Sequence, residues 1–444
     1  LSVLVFIHEG GHFLAARANG MRVTEFFLGL PCKWRLAKRS KKYGTAYGVT
    51  PLLLGGYTQV CGMDVSPQPH AAAVLACVNR AGRISAKDIA SELALDEKDV
   101  LDALESLIDW ASVEPYYNPE LGEHPSQKYL PEAFQTVARD ASGLTIYDRA
   151  HNLELPGATA AGEPCMQEFS SEEAYQKERN ATYAGKGFWA RFSVLVAGVV
   201  VNLAFGLVLI VVILSGLGVE VASNSNEVAA VGEGSLAEVS GIAPGDRIIE
   251  INGVETGTWT EVATQLATVL ASGEDFDVVT QRGDVTAQHA VEQNGESHAA
   301  FGVSATTEVM HLPITTALKT SWSYLAATAS AIAMLFQPAH VGEVLENSTS
   351  VVGISVMASQ AAQEGLSSFL SLGAAISLSL GFMNLLPIPP LDGGKIVIEA
   401  IGAVIRRPVP LRVQTIVSYV GIFLFLLLFF FMLRQDIVRF ILPS

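Results

Sequence analysis

Ile7-His8-Glu9-Gly10-Gly11-His12-Phe13-Leu14-Ala15 is the stretch on which the reading of this chain turns. Read as a helix, it places His8 and His12 one turn apart on the same face, where ring nitrogens of both can converge on one small cation. That is half of a zinc site. Glu9 stands beside the first histidine without being needed as a ligand, and in an H-E-x-x-H arrangement its carboxylate takes a proton from water that the ion polarises. Three specified positions also arise by chance, so the setting decides. Leu1 to Ile7 and Phe13 to Ala16 are apolar with no basic partner nearby, and ionisable groups in such surroundings are costly unless they serve a function.

Working outward, Leu1 to about Ala18 reads as a first membrane span. Only seven residues precede His8, about 10 Å of helix against roughly 30 Å of hydrocarbon, so the span is expected to enter from residues before Leu1 or to be under way where the numbering begins. Behind it stand Arg17, Arg22, Lys33, Arg35, Lys38, Arg39, Lys41 and Lys42 against Glu25 alone, which by the positive-inside tendency makes that side cytoplasmic. From Val23 to Met63, short apolar runs broken by glycine and proline are too short to span and too apolar for a free linker. They read as a β-hairpin or small sheet pressed against the membrane.

The bulk composition demands alternation between membrane and water. Of 444 residues half are hydrophobic, yet 72 are charged, being 28 basic and 44 acidic. The net charge of −16 argues against nucleic acid as a partner, and Cys32, Cys61, Cys77 and Cys165 form no C-x-x-C pair and no disulfide framework. Residues 71–132 read as a separate cytoplasmic insert, three helix-period stretches and then a turn-rich Tyr116 to Lys128 segment, in the order of a winged helix, with Asp96 capping the third helix. Its would-be recognition helix carries Glu97, Asp99, Asp102, Glu105 and Asp109 against Lys98, which suits a protein contact or a structural module and not a DNA groove. Residues 133–185 read as a linker with some helix.

The second span lies within 186–217, its apolar run being Phe192 to Leu217, entered through Lys177, Arg179, Lys186 and Arg191 and therefore leaving the cytoplasm. Asn202, its one strongly polar side chain, reads as a helix–helix hydrogen bond. Residues 219–308 have the composition of a globular α+β domain outside the membrane, with a strand at IIEIN and an Asn252-Gly253 hairpin turn. Over Ala229 to Trp259 this domain resembles a bacterial-type PDZ domain, a fold that binds an extended peptide at a sheet edge. Residues 311–340, with Lys319, Trp322 and Tyr324, read as an interfacial helix, and after a glycine-rich piece the third span covers 365–392 and the fourth 413–434, joined by a basic loop (Arg406, Arg407, Arg412).

A second chemistry-bearing stretch, Met383-Asn-Leu-Leu-Pro-Ile-Pro-Pro-Leu-Asp-Gly-Gly-Lys395, closes the third span. Pro387, Pro389 and Pro390 interrupt the helix, and Asp392 is an acid at membrane depth. A catalytic zinc takes three protein ligands and one open position, and Asp392 supplies the third. Charge topology alone puts it on the same side as His8 and His12.

HEGGH together with N-x-x-P-x-P-P-L-D-G-G and an intervening PDZ-like domain resembles the site-2 protease family of intramembrane zinc metalloproteases, most of all the bacterial regulator-of-sigma-E type. The resemblance covers the first 63 residues and 186–444, but not the insert. It implies a multi-pass α-helical membrane protein of the bacterial inner membrane with a membrane-reentrant β element, holding Zn2+ through His8, His12 and Asp392, with Glu9 as catalytic acid/base and Asn384 near the substrate backbone. The implied substrates are transmembrane segments in the lipid bilayer, such as anti-sigma factors or signal-peptide remnants. The single PDZ-like domain departs from the tandem pair of some members. Two other readings compete: a catalytically silent receptor or scaffold, against which the intact HEGGH and Asp392 speak, and a membrane-tethered DNA-binding regulator, which the acidic helix disfavours.

Overall fold

The computed structural model describes residues 1–53, 55–63, 68–125, 127, 129–165, 170–293, 300–334, 337, 339, 342, 349–407 and 409–438. Positions 126 and 128 of the expected insert, 166–169 of the linker, 294–299 of the globular domain, and 335, 336, 338 and 340 of the interfacial helix lie outside it. The chain forms two compact units, one of residues 1–209 with 322–444 and one of residues 210–321.

The first unit begins with helix α1 (Ser2–Ala18), followed by strands β1 (Val23–Leu28), β2 (Leu36–Arg39), β3 (Ala46–Val49) and β4 (Gly56–Val60). These make one four-stranded sheet in the order β2-β3-β1-β4, in which β1 runs parallel to β3 and antiparallel to β4. The hairpin or small sheet expected between Val23 and Met63 is thus a mixed sheet with β4 at its edge. Phe6 and Phe13, seven positions apart on α1, set their rings 4.6 and 5.0 Å from that of Phe26, which fixes the helix against the sheet. α1 is not among the helices long and apolar enough to cross a membrane: 17 residues measure about 25 Å, short of the hydrocarbon thickness.

Next come α2 (Ala71–Ala81), β5 (Arg83–Ser85), α3 (Ala86–Leu93), α4 (Glu97–Asp109) and β6 (Val113–Tyr116). Apolar residues at helical spacing, Leu75, Val78, Ile89, Val100, Leu104, Leu107 and Trp110, are fully or almost fully buried against one another, each contributing about 1.5–3 kcal/mol. Asp96 caps α4, its carboxylate accepting from the Lys98 N–H at 3.1 Å. The boundary at 132 does not hold. Strand β7 (Ala133–Thr136) is the middle strand of an antiparallel sheet in the order β5-β7-β6, and Tyr175 of α5 (Ser171–Asn180) lies in the same core with its ring 5.2 Å from Trp110. The stretch expected as linker therefore completes the domain, because a sheet with only its two outer strands cannot pair them.

The domain is fastened to the start of the chain by buried ions. Arg22, just past α1, forks onto Asp148 with two bonds of 2.7 Å, and its other nitrogen reaches Glu178 at 2.5 Å. Glu178 also takes a 2.5 Å bond from Arg139, and Asp109 accepts from the Gly62 N–H at the end of β4. Burial alone would raise the Glu178 carboxyl, but the Arg139 and Arg22 guanidiniums outweigh it and hold it down at about 2.

Three helices are long and apolar enough to cross a membrane among the described residues. The first is α6 (Phe188–Val211), prolonged by a π-helical segment to Leu217. The residues of the first unit after 322 include α10 (Val351–Glu364), α11 (Leu366–Met383), α12 (Asp392–Ile405) and α13 (Leu411–Asp436), of which α11 and α13 are the other two. The third span thus ends at Met383 and not at 392. Residues 384–391 form a turn through the prolines, and Asp392 opens a helix of its own where a loop was expected. The glycine-rich piece before the third span is helical as α10. Its first turn is held by Asp436 of α13, which accepts from the Ser350 and Gly353 N–H groups and from the Thr349 and Ser350 hydroxyls.

The second unit contains β8 (Val219–Ala222), β9 (Val228–Val231), α7 (Leu236–Val239), β10 (Arg247–Ile251), β11 (Val254–Glu255), α8 (Trp259–Ser272), β12 (Phe276–Arg282), β13 (Val285–Val291), β14 (Val303–Ala305) and β15 (Thr307–Met310). A sheet in the order β11-β10-β12-β13 packs with α8 around Ile248, Ile251, Val262, Leu266, Phe276 and Val278. Ile251 pairs with Val254 across Asn252 and Gly253, whose φ values of 50° and 83° are what a tight two-residue hairpin requires. Helix α9 (Ile314–Ala333), within the expected interfacial segment, is long enough to span but is not among the three spanning candidates.

Candidate metal centre

His8 and His12 lie on the face of α1 turned away from solvent, only 6% and 8% exposed. Asp392, 380 positions after His12, arrives from the first turn of α12. Its Oδ2 stands 3.0 Å from His8 Nε2 and 3.2 Å from His12 Nε2, and the two Nε2 atoms are 3.1 Å apart. Two imidazole nitrogens and a carboxylate oxygen therefore share one small space.

The proton positions decide what that space accepts. His12 Nδ1 lies 2.7 Å from the carbonyl oxygen of Val194, which can only accept, so Nδ1 carries the hydrogen and the neutral ring directs a lone pair from Nε2 towards Asp392 and His8. Lone pairs and a negative oxygen pointed at one another are unfavourable until a cation lies between them. A tetrahedral ion with bonds of ~2.0–2.1 Å keeps its ligands ~3.3 Å apart, close to all three observed separations. The residues fit zinc, with nitrogen and oxygen donors and three protein ligands.

Close helix contact builds the arrangement. A Cβ on Gly11 would come within 2.5 Å of the Ala197 carbonyl, and one on Gly198 within 2.6 Å of His12 Nε2 and 2.7 Å of His8 Cε1. Glycine at both positions lets α1 and α6 touch backbone to backbone, as small residues do between membrane helices. On the other side, the Gly393 N–H donates to the Asn384 carbonyl at 2.7 Å and closes the proline turn. A Cβ on Gly393 would run into the Leu385 carbonyl, so the two glycines after Asp392 let the turn fold beneath the helix it starts. An acid in the first turn also suits the positive end of α12.

Glu9 is half-buried and outside the three-donor group, beside β4, where Gly56 would bring a Cβ within 3.5 Å of Glu9 Cγ and where the Thr58 hydroxyl donates to the Glu9 carbonyl at 3.0 Å. Asn384 ends α11 and is half-buried eight residues before Asp392. Sequence reasoning did not reach Val194, Gly198 or Thr58. The one signal for the first two is the four-residue spacing Val194, Gly198, Asn202, a stripe along α6 facing the histidines.

Comparison with known proteins agrees with this geometry. The pattern of peptidase family M50 matches residues 1–428. The chain is 25% identical to the zinc metalloprotease RasP of Bacillus licheniformis and 25% identical to the regulator of sigma-W protease RasP of Bacillus subtilis, in each case over 98% of this chain and 96% of the relative. Zinc metalloprotease RasP of Geobacillus kaustophilus is likewise 25% identical over 99% of this chain and 96% of its own length. With the M50 pattern running almost from end to end and two histidines and an aspartate gathered where it begins and closes, this chain belongs to peptidase family M50.

Proposed function

We propose that the protein is an intramembrane zinc metalloprotease, cutting peptide bonds within or near transmembrane segments of other membrane proteins. The observation that carries this is the convergence of His8, His12 and Asp392 beside Glu9 in a chain with three helices, among the described residues, long and apolar enough to cross a membrane. In this reading His8, His12 and Asp392 hold the ion. Bound zinc supplies a Lewis acid that makes water a better proton donor and the scissile carbonyl a better electrophile. Glu9 takes the proton from water and passes it to the leaving amine. A substrate helix hides its carbonyls in its own hydrogen bonds and must unwind before it can be cut. The edge of β4, next to Glu9, offers backbone groups to the extended segment by strand addition, and the Asn384 amide holds the substrate backbone.

The same proposal assigns the remaining parts. Residues 219–308 act as a PDZ-like domain outside the cytoplasm, with an extended peptide as its ligand. The 71–132 segment, completed by 133–180, is a winged-helix-like cytoplasmic module whose acidic α4 turns Glu97, Asp99, Asp102 and Glu105 to solvent. The site then lies in the cytoplasmic membrane of a bacterium. Membrane-anchored regulators of sigma factors as substrates follow the name of the Bacillus subtilis relative.

The test is Glu9→Gln in the full-length protein purified in detergent. This variant keeps one zinc per chain, measured by mass spectrometry, while cleavage of a transmembrane peptide falls by at least ~100-fold, the scale of a lost general base. Zinc-free wild type, or undiminished cleavage by the variant, overturns the assignment.

A further inference from the structure

Both histidines turn their second ring nitrogen towards α6, but they do not meet the same kind of partner. His12 Nδ1 meets the Val194 carbonyl at 2.7 Å. His8 Nδ1 meets the side-chain amide of Asn202, eight residues further along the same stripe, with Nδ2 at 3.4 Å. Asn202 is fully buried, and its Oδ1 has no hydrogen-bond partner. Its backbone is pinned as well, the carbonyl accepting from the Ser377 hydroxyl of α11 at 2.8 Å.

These observations conflict unless the amide is turned. His8 Nε2 faces Asp392 Oδ2 and His12 Nε2, so as a metal ligand it presents a lone pair there, and the single proton of the neutral ring sits on Nδ1. An N–H then points at an NH2 while a buried carbonyl oxygen goes without a donor. A half-turn of the amide about its Cβ–Cγ bond exchanges two atoms of nearly equal size, gives Oδ1 the proton of Nδ1 and removes both faults at once.

We propose that Asn202 is a positioning residue for the metal centre: its side-chain oxygen accepts from His8 Nδ1–H and fixes the tautomer and tilt in which Nε2 binds the ion. This inference rests on the zinc reading above. A hydrogen bond to the far nitrogen raises the basicity of a metal-binding imidazole and locks its orientation. α6 thus serves both ligands, one through its backbone and one through a side chain. A helix–helix amide with no link to the metal would leave zinc affinity untouched when replaced.

Zinc affinity of the full-length protein, measured by competition with a chromogenic chelator, separates the two. Asn202→Leu, close in volume but without an acceptor, is expected to bind zinc ~10–100-fold more weakly, the usual cost of losing such a partner. Asn202→Asp, which keeps an acceptor in place, stays within a few-fold of wild type. Thermal unfolding of the metal-free forms monitors folding, and Asn202→Ala takes the place of Asn202→Leu if that variant does not fold. Wild-type affinity in a folded apolar variant, or weakening by Asp equal to that by Leu, overturns the proposal. Wild type that binds no zinc overturns the protease reading instead.

Discussion

Two buried clusters of polar side chains flank α1, and they are built on opposite principles. Past its C-terminal end, Arg22 and Arg139 face Asp148 and Glu178, two cations against two anions, with Ser112 donating to Glu178 at 2.6 Å and the Trp110 carbonyl accepting from Arg22 at 3.2 Å. Charges cancel inside the protein. Along its middle, His8, His12 and Asp392 bring acceptors together with no guanidinium or ammonium in the group. Burial of a charge is tolerated only when it is paired. The first cluster is therefore charge-balanced by protein groups alone, whereas the second, as a set of metal-binding donors, calls for a cation. Comparing them tells a structural ion cluster from a binding site without reference to relatives.

The sharpest way to break that comparison is Asp392→Ala. It should weaken zinc binding by more than ~100-fold, beyond the effect of an outer partner, and reduce cleavage to background. Thermal unfolding of the metal-free protein checks that the variant still folds. Arg22→Met should do the reverse. It strands Asp148 without a cation, leaves Glu178 to Arg139 alone, and should cost about 3–5 kcal/mol in denaturant unfolding, while the folded fraction keeps its zinc. Acid gives the smallest effect. Glu178 is held at about 2 against an ordinary 4.5, so its contribution, roughly 3 kcal/mol, is fully present above pH 4.5 and is lost as pH falls towards 2. Unfolding of the metal-free protein across that window should lose this increment, and Glu178→Gln should flatten the dependence.

How much of this could be read beforehand differs between the same two clusters. HEGGH and LDGG advertise themselves because the chemistry lies within a few residues, and the proline run before Asp392 explains why the helix must break there. The ion cluster gave no such sign. Arg22 looked like one more cytoplasmic basic residue, yet it is only 3% exposed and bonded to partners 126 and 156 positions away. The end of the inserted domain was missed for a similar reason. β7 is a four-residue strand whose place between β5 and β6 is set by pairing across distant sequence, and nothing local in AFQT announces it. Helix α12 went unseen because the prolines read as a helix break and the basic stretch up to Arg412 as a loop, although an acid followed by Gly-Gly-Lys-Ile-Val-Ile-Glu also reads as a helix start. Asn202 was noticed, but in sequence an amide in an apolar helix cannot show which nitrogen it faces.

The carboxylate of Asp436 has a bearing on where the chain can be shortened. It is the common acceptor for two backbone amides and two hydroxyls at the head of α10, more than eighty residues upstream. A chain cut before this position would take the acceptor away from four donors, so the last turn of α13 works as a latch and is not spare length.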